Sequence, residues 1–148
     1  MLYCPRRSIL ISGDQLLPTI SSNISVTAID PSAEPLSEWL SSLHNLLSIP
    51  DDTLVLPAHG MPFIGIKERV SQLQAHHALI LSKTLSVCMH QPCSAYQVSK
   101  NLFPQSMMGI SNVLALGESL AHLHHLVRRG ELSSTLDQFG VRKFQRRQ

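Results

Sequence analysis

The chain has 148 residues, enough for one domain of ordinary size or for part of a domain with a small appendage. Its formal net charge of +2 is too small to predict a polyanionic partner from composition alone. No segment approaches the roughly 20 apolar residues of a membrane-spanning helix, and no apolar run of signal-peptide length follows Arg6 and Arg7. The three cysteines, an odd and sparse set, argue against a disulfide framework and favour a reducing compartment. We therefore expect a cytoplasmic protein with no membrane partner.

Short apolar runs and one amphipathic stripe alternate along the first part of the chain. Residues 2–4 and 8–12 are predicted to form a hairpin with residues 5–7 as its turn, because Pro and charged residues suit a turn. Pro35 then opens a predicted helix whose apolar residues recur at three- and four-residue steps. Residues 54–56 follow as a buried strand, and a helix followed by a buried strand is half of a βαβ unit. This pattern predicts an α/β layered domain.

The rest of the chain is predicted to be mainly helical, with a loop at residues 105–109. Four elements are expected in chain order: a long helix at 66–88, a short helix opened by a Ser-x-x-Gln capping box at Ser94, a third helix at about 112–129, and a small hairpin at 131–144. Helix, helix, helix, hairpin is the order of a winged helix.

Two candidate metal ligands follow the ends of two predicted strands. Asp14 comes directly after Ser12-Gly13, and His59 follows the second strand 45 positions later. Residues just past buried strands lie on a fixed scaffold at the rim of a sheet, where ligands and metals are commonly gathered. Carboxylate and imidazole are both zinc ligands. The repetition predicts that Asp14 and His59 share one site.

This pairing resembles the two C-terminal metal motifs of the metallo-β-lactamase-fold hydrolases. In that superfamily the Asp of a Ser-Gly-Asp strand end bridges two zinc ions, and the His of a Pro-x-His-Gly turn completes the second metal site. The resemblance implies that Asp14 is both a metal ligand and a catalytic residue, which orients a metal-bound hydroxide. It implies that His59 is a metal ligand, and it assigns no nucleic-acid-binding residue.

The resemblance also implies a fold. Residues 1–65 look like the C-terminal half of an αβ/βα metallo-β-lactamase sandwich, an α/β architecture. Residues 66–148 look like the winged-helix-like α-helical domain that follows it in one branch of these hydrolases. We expect a C-terminal portion of a zinc-dependent hydrolase that attacks an ester, thioester or phosphodiester, with a small-molecule or nucleic-acid substrate that the fold leaves open.

The family's main zinc motif, His-x-His-x-Asp-His, does not occur in these 148 residues. Zinc sites need three or four protein ligands, and Asp14 and His59 supply two. A full-length family enzyme is expected to hold two Zn²⁺ ions, whereas this chain is expected to bind zinc weakly or not at all. We therefore expect the chain alone to be inactive, as the C-terminal part of a larger hydrolase or as a shortened gene product.

The alternative is a winged-helix module that binds nucleic acid or protein. Half of the twelve Lys and Arg residues fall in the last 21 positions: Arg128, Arg129, Arg142, Lys143, Arg146 and Arg147. Against nucleic acid, the first half of the third helix is nearly free of positive charge. An exposed sheet edge, with the strands at 9–11 and 54–56, is a further candidate surface for a homo-oligomer.

Other histidines and cysteines give weaker signals. His122 and His125 share a helix face at a spacing that can bind metal, but a packed or solvated face is the commoner role. Cys88 and Cys93, with His90 between them, form a loose zinc-knuckle spacing that no second pair follows. We expect none of these to hold a metal.

Overall fold

The computed structural model describes residues 1–105 and 109–147. The chain divides into two compact units, the first made of Met1–Ser22 and Glu38–His76 and the second of Asn23–Ser37 and His77–Gln148. Helices α1 (Pro35–Leu46) and α2 (Ile66–Val87) contribute residues to both units. The remaining helices are α3 (Ala95–Leu102) and α4 (Gly109–Arg128). Within the described residues, no helix combines the length and apolar character needed to cross a membrane.

A three-stranded sheet forms the first unit's framework, in the order β1 (Leu2–Cys4), β2 (Ile9–Gly13), β3 (Leu54–Pro57). Strands β1 and β2 are antiparallel, with Tyr3 opposite Leu10, so the predicted hairpin is confirmed. Strands β2 and β3 are parallel, with Leu10 opposite Val55. The intervening α1 makes this a crossover connection, so the predicted mixed α/β architecture is confirmed.

The core of the first unit is formed by residues that alternate along the strands and by residues that recur every three to four positions along the helices. Side chains alternate across a strand, so Leu10 and Val55 share one sheet face and are buried. The stripes of α1 and α2 repeat every three to four residues, and their members are buried in this unit: Trp39, Leu43, Leu46, Ile66, Val70 and Leu73. In α1 and α2, the helical stripes expected from the sequence are the ones that pack.

The second unit contains its own three-stranded sheet, in the order β4 (Cys93–Ser94), β6 (Arg142–Arg146), β5 (Leu132–Leu136). The predicted hairpin of β5 and β6 is confirmed as an antiparallel pair. The two-residue β4 was not predicted, because its pairing with β6 joins segments about 50 residues apart. Helix α4 begins at Gly109, earlier than predicted. Of the predicted loop at 105–109, residues 106–108 lie outside the described part of the chain.

Gly117 allows a loop to approach α4 closely. The Val26 amide donates to the Gly117 carbonyl at 3.0 Å. A Cβ atom at Gly117 would lie 2.8 Å from both the Ser25 Cβ and the Val26 carbonyl oxygen, closer than real Cβ contacts. A helical glycine is usually a weak point, but here it is required by the packing of the second unit.

The sparse, odd set of cysteines argued against a disulfide framework, but two of the three are paired. Cys88 and Cys93 form a disulfide with their Cα atoms 5.6 Å apart, within the usual range for such bonds. The Arg146 amide donates to the Cys88 carbonyl at 3.2 Å, and Cys93 pairs with Phe144, so β6 holds both cysteines side by side. Because their sulfur atoms are bonded to each other, these two cysteines do not form the zinc knuckle considered above. Cys4 is a free, exposed thiol.

Candidate functional site

Asp14 and His59 are positioned by the carboxyl ends of two adjacent strands. Asp14 follows β2 directly, and His59 follows β3 by two residues. Since β2 and β3 are parallel, these ends lie at the same edge of the sheet. The Ala58 amide donates to the Gly13 carbonyl at 3.0 Å, which ties the two turns together. Gly13 has a φ of +57°, a conformation that glycine adopts without steric cost.

The two side chains are in direct contact. His59 Nδ1 lies 2.7 Å from Asp14 Oδ1. A carboxylate oxygen accepts, so His59 Nδ1 carries the proton and donates it. The imidazole side chain is 68% exposed and the carboxylate side chain 59%, so both remain accessible to a ligand. The sequence predicted that these residues share one site, and the structure places them together.

The loop around Asp14 is held by contacts that sequence reasoning missed. The Ser22 hydroxyl donates to the Asp14 carbonyl. Gly60, next to His59, has a φ of +85°, and a Cβ there would lie 2.6 Å from the Pro18 Cγ. Glycine at this position therefore allows both the positive φ of the turn and the close packing of the Pro18 ring.

Arg69 of α2 is a second support that no local motif signals. Its Nε donates to the Leu17 carbonyl at 2.6 Å, and its Nη2 donates to the Ile20 carbonyl at 2.9 Å. Partial burial lowers the pKa of Arg69, although an arginine stays protonated at any ordinary pH. One fixed side chain thus holds both sides of the turn that follows Asp14. In the sequence, only its place beside the buried stripe residue Val70 distinguishes this arginine.

The Asp14 and His59 pair fits part of a zinc site. Two nitrogen or oxygen ligands of one tetrahedral zinc ion lie roughly 3.3 Å apart, so Asp14 Oδ1 and His59 Nδ1 would need to separate by about 0.6 Å, and Nδ1 would need to release the proton that it donates to Asp14. However, the described residues contain no group of three or more His, Cys, Asp or Glu side chains placed to hold a metal. These residues supply two ligands of a set that needs three or four.

His122 and His125, considered above as a possible metal-binding pair, make separate contacts. His77 Nδ1 lies 3.1 Å from His122 Nε2, and the two rings stack with their centroids 5.3 Å apart. Both side chains are fully buried. His122 Nδ1 donates to the Glu118 carbonyl at 2.8 Å, because a carbonyl oxygen only accepts. His125 instead contacts the Ser37 hydroxyl, at 2.8 Å from its Nδ1. His122 and His125 are therefore not brought together as a ligand pair.

Comparison with known proteins gives the following matches. Residues 81–147 match the family described as "Metallo-beta-lactamase-like, C-terminal domain". The structure superposes with a TM-score of 0.93 on the crystal structure of a beta-lactamase domain protein from Burkholderia ambifaria, at 40% identity and over 98% of this chain. It superposes with a TM-score of 0.83 on a metallo-beta-lactamase family protein from Thermus thermophilus, at 28% identity and over 98% of this chain. The chain spans 43% and 44% of those two proteins. No curated protein sequence matches it.

Proposed function

Because the chain is a member of the metallo-β-lactamase family and carries the C-terminal part of that fold, we propose that it belongs to a zinc-dependent hydrolase in which Asp14 and His59 are metal ligands. The observation that carries this proposal is the 2.7 Å contact between Asp14 Oδ1 and His59 Nδ1 at an exposed edge of the sheet. The remaining ligands are proposed to come from polypeptide outside these 148 residues.

The proposed chemistry is hydrolysis of an ester, thioester or phosphodiester. A zinc ion held in such a site lowers the pKa of water to near neutrality and polarises the bond to be cleaved. Asp14 is proposed to bind the metal and to orient the attacking water through its carboxylate. His59 is proposed to bind through its ring, and the contact of Gly60 with Pro18 supports the turn that carries it. Arg69 keeps the neighbouring loop in place.

Metal content tests the proposal directly. After incubation with zinc and dialysis, the 148-residue chain should retain well under one zinc ion per chain, because two ligands hold zinc weakly. Co-expression with the part of the Burkholderia ambifaria protein that this chain does not cover should give stoichiometric zinc and hydrolytic activity on an ester, thioester or phosphodiester panel. Asp14→Ala and His59→Ala should each reduce the zinc content of the reconstituted protein.

The matched controls are Asp52→Ala and His44→Ala, which change exposed residues of the same two types in the same unit. Both should leave zinc content unchanged. Full zinc retention in reconstituted protein that lacks Asp14 and His59 would refute their assignment as ligands. Stoichiometric zinc in the 148-residue chain alone would refute the claim that the site is incomplete.

We further propose that residues 66–148 form a winged-helix-like domain; the division of the chain into residues 1–65 and 66–148 stays a prediction. The end of α2, then β4, α3, α4 and the β5–β6 hairpin follow the chain order of that architecture. The β4-β6-β5 sheet beside the helices supports the same proposal.

An alternative function for this region is protein interaction. Three apolar residues in the first half of α4 are exposed, with Ile110 at 77%, Val113 at 67% and Leu114 at 43%. The described residues of α4 contain no Lys or Arg before Arg128. A nucleic-acid-reading helix needs side chains that reach phosphates and bases, so an apolar protein surface fits this face better. Binding to duplex DNA or RNA that weakens steeply with added salt would overturn this preference.

A further inference from the structure

The second unit contains a cavity that the proposed hydrolase chemistry does not use. Its volume is about 170 Å³. It lies between the loop before α1, helix α4 and the two strands of the hairpin, and its main lining residues are Pro31, Glu34, His124, Val127, Arg142 and Phe144. All of these residues belong to the second unit, so the cavity is a property of that unit alone.

The charges on the cavity wall are unevenly paired. Glu34 forms an ion pair with Arg128, with 2.7 Å between Oε2 and Nη1. Arg142, in contrast, makes no ion pair among the described residues, and its guanidinium contacts the Ser134 hydroxyl at 3.4 Å. Because the Glu34 charge is neutralised by Arg128, the net charge that faces the cavity is the positive charge of Arg142. A guanidinium presents paired donors that match a carboxylate.

His124 lines the cavity in front of a buried aromatic neighbour, Phe144. Phe144 is 1% exposed, and its ring lies 6.2 Å from the His124 ring between centroids, at an angle of 42°. His124 Nδ1 lies 3.0 Å from the Ala33 carbonyl, which can only accept, so Nδ1 carries the proton. That hydrogen bond fixes the orientation of the imidazole. Because Phe144 is almost fully buried, the surface that a flat ligand could contact is that of His124 and Val127.

The volume of the cavity suits an occupant of about one ring. A cavity of about 150 Å³ in another protein is known to hold benzene, and the present volume of about 170 Å³ is similar. Drug-sized ligands need about 300 Å³ or more.

We propose that this cavity binds a small carboxylate with a single-ring apolar body. The carboxylate pairs with the Arg142 guanidinium, and the ring packs against His124 and Val127. The site is independent of the pair at Asp14 and His59, and the proposal does not rest on hydrolase activity.

Benzoate is the probe, and benzamide is the neutral compound of the same shape. Titration of the ¹⁵N-labelled 148-residue chain at millimolar concentrations should shift the amide signals of His124, Phe144 and their neighbours with benzoate. Benzamide should bind about tenfold more weakly, because it lacks the charge that Arg142 pairs with. Arg142→Gln should weaken benzoate binding about tenfold, whereas Arg146→Gln, an exposed arginine on the same strand that does not line the cavity, should change it less than about twofold.

Glu34→Gln provides a second test that does not depend on Arg142. It releases Arg128 from its ion pair and removes a carboxylate from the wall, so benzoate should bind more tightly. The proposal fails if benzoate and benzamide bind equally, if Arg146→Gln weakens binding as much as Arg142→Gln, or if the shifted amides lie away from the cavity. It also fails if Glu34→Gln weakens benzoate binding.

Discussion

Glu118 lies in the middle of α4, where burial disfavours its charged form and raises the pKa of its carboxyl to about 7. In the sequence it is an ordinary helical glutamate, and nothing local signals this burial. An unfolded glutamate titrates near its usual value of 4.5. Between those two pH values the folded state holds a proton that the unfolded state has released. The contribution of Glu118 to stability is therefore complete below about pH 4.5 and is lost as the pH rises through about 7.

Glu118→Gln should remove this pH dependence, because the amide has nearly the same shape and no charge. At about pH 4.5 the variant should unfold at the same urea concentration as the unchanged protein. At about pH 8 it should be more stable by up to roughly 3 kcal/mol, the free-energy equivalent of a pKa difference of about 2.5. The raised pKa of Glu118 would be contradicted if the free energy of unfolding of Glu118→Gln differed from that of the unchanged protein by the same amount at both pH values.

The start of helix α3 was predictable from a local sequence motif, whereas the strand before it was not. The capping box predicted from Ser-x-x-Gln is confirmed: the Gln97 amide donates to the Ser94 hydroxyl at 3.3 Å, and the Ser94 amide donates to Gln97 Oε1 at 2.8 Å. These bonds satisfy amide groups that the first turn leaves unpaired. They join residues three apart, so the sequence alone is sufficient to predict them. The strand β4 that leads into α3 was missed, because its partner is distant in the chain.

Ser94→Ala should therefore destabilise the second unit by about 1 kcal/mol, the usual cost of losing a helix N-cap. Ser94→Asp should restore most of that stability, since a carboxylate accepts the same hydrogen bond and also interacts favourably with the start of the helix. Urea unfolding of the three proteins measures both effects. If the Ser94→Ala protein is as stable as the Ser94→Asp protein and the unchanged protein, the N-cap hydrogen bond contributes nothing to stability.

The sheet of the first unit has one bare apolar face. Alternation and register place six residues on it: Leu2, Cys4, Ile9, Ile11, Leu54 and Leu56. Leu2 is 71% exposed, Ile11 49% and Leu54 39%. A contiguous exposed apolar surface of this kind marks an interaction site or a liability to aggregate. Self-association through this sheet accordingly stays our proposal for the isolated chain.

Ile11→Lys should raise the dissociation constant for self-association about tenfold or more, because association would bury an unpaired charge. Sedimentation velocity over a range of protein concentrations measures this, in a Cys4→Ser background that excludes disulfide-linked dimers through the free thiol. The matched control is Ile20→Lys, at a residue that is 57% exposed in a loop outside the three strands. If the chain without these lysines stays monomeric, or if both lysines act alike, the sheet face is not the surface involved.

The sequence by itself determined most of the elements, although not β4, and the two candidate ligands. Helical stripes, the hairpin turn and the capping box depend on residues a few positions apart, and Asp14 and His59 were identifiable from the strands that precede them. Only the tertiary structure decided which distant groups meet. It placed Asp14 within 2.7 Å of His59, 45 positions away in the chain. It also placed His77 within 3.1 Å of His122. Arg142 and Glu34, distant in the sequence, line the same cavity. Such contacts form when whole elements pack, because the free energy of packing resides in buried surfaces that no local pattern specifies.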